Sequence, residues 1–193
     1  MKMKSEQLRI DLMEWTHQHL NEAETLKKMP LKTLRWKASA EQWNVLECIE
    51  HLNLYGDYYL PEIDRQINSS KYPAEEFFKS GLLGNYFAKT MLPREKLNKM
   101  KTFKDKNPLD SMLDKAVLDR FIEQQKQTLA LLEQSRQVSL SRTKTGISIS
   151  KWIRLKLGDT FRVVIYHNRR HMVQTEKVLQ AYRKVEKTAV FIK

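Results

Sequence analysis

The chain of 193 residues contains one cysteine, Cys48, so no intramolecular disulfide can form, and a lone thiol suits a reducing cytosol. No run of apolar residues is long enough to cross a bilayer, and the opening Met-Lys-Met-Lys-Ser-Glu lacks the apolar core of a signal peptide. A cytoplasmic protein without membrane attachment is expected. Strand-like alternation is also missing, apart from a few residues in the middle of the chain and the Ala189-Val-Phe-Ile192 tail. There is no internal repeat, no heptad run long enough for a coiled coil and no low-complexity tract.

What is present fits an ordinary globular protein, with 41% hydrophobic and 30% charged residues. The length suits a single domain over residues 1–193. The formal net charge of +12 raises the question of an anionic partner. Lys and Arg are thickest from Arg94 to Lys106, from Arg142 to Lys156 and from Arg183 to Lys193. No nucleic-acid module or aromatic-plus-basic pattern accompanies them, so solvated helix faces are expected and no nucleic-acid partner.

Periodicity is helical almost throughout. From about Lys4 to Met29, Leu8, Leu12, Trp15, Ala23 and Leu26 recur at three- and four-residue steps, and Pro30 ends that helix. Ser39-Ala-Glu-Gln42 has the form of a capping box for a second helix, with Cys48, Leu52, Tyr55 and Tyr59 inward and Pro61 at a kink or in its last turns. Asn68 to Asn107 is broken by prolines and glycines and reads as a long crossover, with a short helix near Leu82 to Leu92. Asn107-Pro108 is a plausible start for a third helix with the stripe Leu113, Val117, Phe121, Thr128 and Leu132. Ser135 to Ser150 reads as a polar loop. A fourth helix is expected from about Ser150 to Lys184, with Ile153, Leu157, Phe161, Val164, His171, Val178 and Tyr182 on one side and Gly158 loosening it locally. The fold class is therefore all-α: a four-helix bundle with a long crossover between helices two and three.

The chemistry centres on three histidines. His167 and His171 stand four apart, one turn along the fourth helix, in phase with Val164, Gln174 and Val178. His51 borders the inward stripe of the second helix. Any one of them by itself reads better as an ordinary polar core or boundary residue with a backbone partner. Together, with the His-x-x-x-His spacing, they favour a facial three-imidazole metal site. His17 and His19 are two apart, cannot form the same one-turn chelate and read as structural or surface residues.

The stretch Trp43-Asn-Val-Leu-Glu-Cys-Ile-Glu-His51-Leu resembles the second-helix motif of the DinB/YfiT-like superfamily. Leu155-Lys-Leu-Gly-Asp through His167-Asn-Arg-Arg-His171-Met-Val-Gln174 resembles its fourth-helix motif, and Gly81-Leu-Leu-Gly84 through Asn107-Pro108 is similar to the crossover of the branch often called DinB_2. The resemblance implies a four-helix bundle holding a divalent ion with His51, His167 and His171, leaving open positions for water or substrate. It carries no polymerase activity. Members of that superfamily are assigned as metal-dependent hydrolases, and several relatives are transferases or isomerases that use low-molecular-weight thiols. Some branches replace one imidazole with a carboxylate, whereas this chain has all three.

Two reaction classes on a small molecule are thus expected, metal-dependent hydrolysis or thiol transfer, with nickel, zinc, manganese or iron as the ion. The alternative is a catalytically silent metal-binding or interaction protein that forms a homodimer. Glu47, one turn before His51, is the best-phased general base, and equally a partly exposed residue or one that orients a ligand. Glu50 and Asp57 project elsewhere. Arg169 and Arg170 lie between the helix-four ligands but are expected in solvent. Cys48 reads as a buried apolar residue rather than a nucleophile. Trp43, Tyr55 and Trp152 read as core or as the mouth of a pocket.

Overall fold

The computed structural model describes residues 1–93 and 102–191, without the side chains of 189–191. Six α-helices are present among the described residues: α1 (Ser5–Lys27), α2 (Leu31–Leu34), α3 (Val45–Asn68), α4 (Leu82–Met91), α5 (Ala116–Gln134) and α6 (Leu157–Phe191). The four long ones contact one another in a closed ring, with α1 and α3 each lying against both α5 and α6. The stripes responsible are those expected. Leu8, Leu12, Ala23 and Leu26 of α1, Leu52 and Tyr59 of α3, Phe121 and Leu132 of α5, and Phe161 and Val164 of α6 are all buried. The all-α expectation therefore holds in outline, and no helix among the described residues is long and apolar enough to cross a membrane.

Two small antiparallel sheets are present among the described residues, and only one of their strands, Phe77–Lys79, falls in the middle segment where a few strand residues were expected. Strand β1 (Lys2–Lys4) pairs with β2 (Phe77–Lys79), and β3 (Lys144–Ile147) pairs with β4 (Ser150–Lys156) across a bulge after Gly146. The β3–β4 hairpin corrects both the polar loop expected over 135–150 and the start of the fourth helix, which begins at Leu157. Ile153 and Leu155 alternate with Trp152 and Arg154, a period of two, yet the four-residue step from Ile153 to Leu157 fits a helix as well. Conversely, residues 189–191 of the supposed tail strand continue α6, while Ile192 lies outside the described residues, as do 94–101 of the first basic stretch.

Two helix starts also move. The capping box is Asn44 with Glu47, not Ser39 with Gln42: Asn44 Oδ1 accepts from Glu47 N at 2.9 Å, and Glu47 Oε2 accepts from Asn44 N at 2.8 Å. Asn44 directly precedes the apolar run Val45-Leu46, which is buried, whereas Ser39 is exposed. The third long helix starts at Ala116 rather than Pro108: Asn107 Oδ1 does accept from Leu109 N at 3.3 Å, as well as from Trp43 Nε1 at 3.1 Å, but Asp110 takes a left-handed φ of 62°, which a right-handed helix cannot contain. Pro61 lies within α3, which continues to Asn68.

The crossover is anchored on the first turn of α6. Asp159, fully buried, accepts from Ser80 Oγ, from Gly81 N at 2.7 Å and from Arg162 Nη1 at 3.0 Å, and Arg162 Nη2 donates to Asn85 Oδ1 at 3.2 Å. Gly84 has to be glycine here, since a Cβ would lie 2.5 Å from the Asp159 side chain. Gly158, expected only to loosen the helix, instead admits the buried Phe78 of β2, whose ring would sit 2.6 Å from an added Cβ. Asp159→Ala leaves the Arg162 charge buried without its partner, which costs about 3–5 kcal/mol. Urea unfolding should show the midpoint falling accordingly, and a midpoint unchanged from that of the parent chain would contradict this anchoring role.

Candidate metal centre

Packing of α3 against α6 brings the three histidines together. His51 projects from the second turn of α3, and His167 and His171 project from successive turns of α6. His167 Nε2 lies 3.3 Å from His51 Nε2 and 3.1 Å from His171 Nε2, and the three ligand atoms lie within 4.8 Å of one another. His51 and His171 are buried and His167 half-buried.

The other ring nitrogens set the tautomers. His51 Nδ1 donates to the Lys106 carbonyl at 2.6 Å, and His171 Nδ1 donates to Gln174 Oε1 at 3.0 Å. With those protons on Nδ1, the Nε2 atoms of both rings are lone-pair acceptors aimed at the same point. Burial holds the imidazoles neutral. It lowers His51 to about 4, against the hydrogen bond to the Lys106 carbonyl, which favours the protonated ring, and drives His167 and His171 well below the ordinary value. Neutral rings with converging lone pairs repel unless something positive sits between them, so the donor set fits a divalent cation.

Aromatic rings enclose the cluster. Trp43 lies 4.7 Å from the His51 ring and 5.8 Å from His171, and Tyr55 lies 5.0 Å from His51 and 4.9 Å from His167. Burial pushes the Tyr55 hydroxyl up to about 12. The imidazoles line a cavity of about 1250 Å³, room enough for a small molecule.

A profile of the DinB superfamily matches residues 12–175, a span that includes all three histidines. The chain belongs to the DinB superfamily. Comparison with curated proteins and with solved structures gives no match.

In this DinB chain several expected roles change. Glu47 does not line the cavity. Its buried carboxylate accepts from Asn44 N, from Asp110 N at 2.7 Å and from Lys37 Nζ at 2.8 Å, so it staples residues 107–110 to the start of α3. Glu50 and Asp57 pair with Arg120, away from the histidines. Arg169 pairs with Glu22, but Arg170 is buried and lines the cavity, contrary to the expectation of solvent exposure. The reason is that α6 is packed by α1, α3 and α4, which leaves little of its circumference free. Cys48 is fully buried, and burial pushes its thiol up, as a structural residue requires. Trp43 and Tyr55 line the cavity, whereas Trp152 is exposed on β4. The Lys106 carbonyl was missed, because a backbone oxygen leaves no mark on residue type.

His17 is exposed, but His19 is fully buried, with neither ring nitrogen hydrogen-bonded among the described residues. Burial, reinforced by Arg169, lowers it to about 3. Because its folded value lies below the ordinary value of 6.5, its contribution is complete above pH 6.5 and is lost as the pH falls toward 3. Metal-free protein should therefore lose stability over that range, and His19→Leu should remove about 1.4 kcal/mol per pH unit of the slope, read from urea midpoints between pH 7 and pH 4. Glu47→Ala removes the acceptor of Asn44 N and Asp110 N and leaves Lys37 with Asp110 alone, and should cost about 1–3 kcal/mol in the same assay.

Proposed function

We propose that α1, α3, α5 and α6 form the four-helix bundle of a single domain in which His51, His167 and His171 hold one divalent ion, and that the protein is a metal-dependent enzyme acting on a small molecule. The convergence of three neutral imidazoles on one point carries this reading. When bound, such an ion supplies Lewis acidity, drawing water or a thiol toward its deprotonated form. The chain's own residues do the rest. Lys106 and Gln174 hold protons at Nδ1 of His51 and His171, keeping Nε2 free for the ion, and Trp43 and Tyr55 shield the cluster from water.

Between the two reaction classes, transfer of a low-molecular-weight thiol is the better supported. Hydrolysis is helped by a carboxylate base within reach of the nucleophile. Among the described residues the cavity is lined by one carboxylate, Glu41, which is exposed, and Glu47 is engaged in the staple.

Protein purified without a metal-affinity step should carry close to one equivalent of a divalent ion by elemental analysis. His51→Ala and His171→Ala should each lose it. A chain that takes up no nickel, zinc, manganese or iron would sink the proposal.

A further inference from the structure

The cavity that holds the imidazoles is also lined by a buried amide pair. Gln125 of α5 and Asn168 of α6 are 2% and 5% exposed, and Asn168 Nδ2 donates to Gln125 Oε1 at 3.2 Å. Two primary amides bring four N–H donors and two carbonyl oxygens, and this bond uses one of each. Among the described residues neither side chain makes another hydrogen bond. The adjacent Gln124 contrasts with them: its amide donates to Asn53 O at 3.2 Å and Asp57 Oδ1 at 2.9 Å. Buried amide groups are almost always partnered, so a donor on Gln125 and an acceptor on Asn168, both bordering a cavity, mark a place prepared for a guest.

We propose that Gln125 and Asn168 form a recognition subsite for a carboxamide-like edge. Gln125 Nε2 donates to the ligand's carbonyl oxygen, and Asn168 Oδ1 accepts from its N–H. The ligand class is a small uncharged carboxamide, lactam or ureide. Resting on the metal reading above, the same molecule would carry a thiol toward the histidines. The subsite itself requires no ion, because its two partners are protein amides. Asn168 directly follows His167, so the subsite and the imidazoles share one helix segment.

The test compares 3-mercaptopropanamide with its methyl ester counterpart, methyl 3-mercaptopropanoate, by calorimetric titration of metal-free and of nickel-treated protein. The ester keeps the acceptor and the thiol but loses the N–H donors. The amide should bind about tenfold more tightly in both preparations, the effect expected of one or two buried hydrogen bonds. Gln125→Met, which keeps the length of the side chain and removes its amide, should abolish the preference. Equal binding of the two probes to the parent chain, no binding of either, or a preference that survives in Gln125→Met would each overturn the subsite. The parent-chain comparison decides the matter even if the variant does not fold. Failure of nickel uptake with the preference intact would remove the metal reading alone, and nickel uptake without a preference would remove the subsite alone.

Discussion

The contact of α3 with α6 is the interaction on which the site depends. Neither helix alone can gather three imidazoles: α6 supplies two from successive turns, and the third comes from a residue more than a hundred positions earlier in the chain. The contact belongs to an apolar core built from Leu60, Phe161, Val164 and Ile165 on one side and Leu46, Ile49, Leu52 and Met172 on the other. Burying polar rings in such surroundings is unfavourable unless both nitrogens are satisfied. Lys106 and Gln174 satisfy one nitrogen each on two of the rings, and the three Nε2 atoms are left facing one another.

The segment between α3 and α5 fixes both histidine-bearing helices. At one end, Ser80, Gly81 and Asn85 bond to Asp159 and Arg162 on the opening turns of α6, and Gly84 allows α4 to approach within contact of Asp159. At the other, Lys106, Asn107 and Asp110 bond to His51, Trp43 and Glu47 around the start of α3. Asp110 adopts φ 62°, a left-handed conformation uncommon outside glycine and tolerated best by Asn and Asp. The glycines and the Asn-Pro pair that break helical periodicity here therefore serve close approaches and a turn. The stretch that reads as a mere connection is the part that orients His51.

Apolar periodicity located the four long helices because each must bury a stripe, and that stripe recurs every three or four residues whatever it packs against. Leu12, Leu52, Phe121 and Phe161 were placed inward on that basis and are buried. Local chemistry with two valid solutions was decided less well. Ser39 and Asn44 both have a Glu or Gln three residues on, and the choice fell to the one followed by residues that α5 and α6 can cover. The residues after Ser150 satisfied a strand and a helix equally, and pairing with β3 made them a strand.

From the sequence alone came the helices, the inward phase of His51, His167 and His171, and the burial of Cys48, since all of these follow from spacing along a single element. Only the tertiary structure decided what faces those residues. Glu47 turned from the cavity because Asp110 N and Lys37, distant in sequence, reach its carboxylate. Arg170 turned inward because neighbouring helices surround α6. The Lys106 carbonyl reached His51 because the chain folds back over α3. Partners of that kind depend on the path of the backbone through space, and spacing along one element holds no record of it.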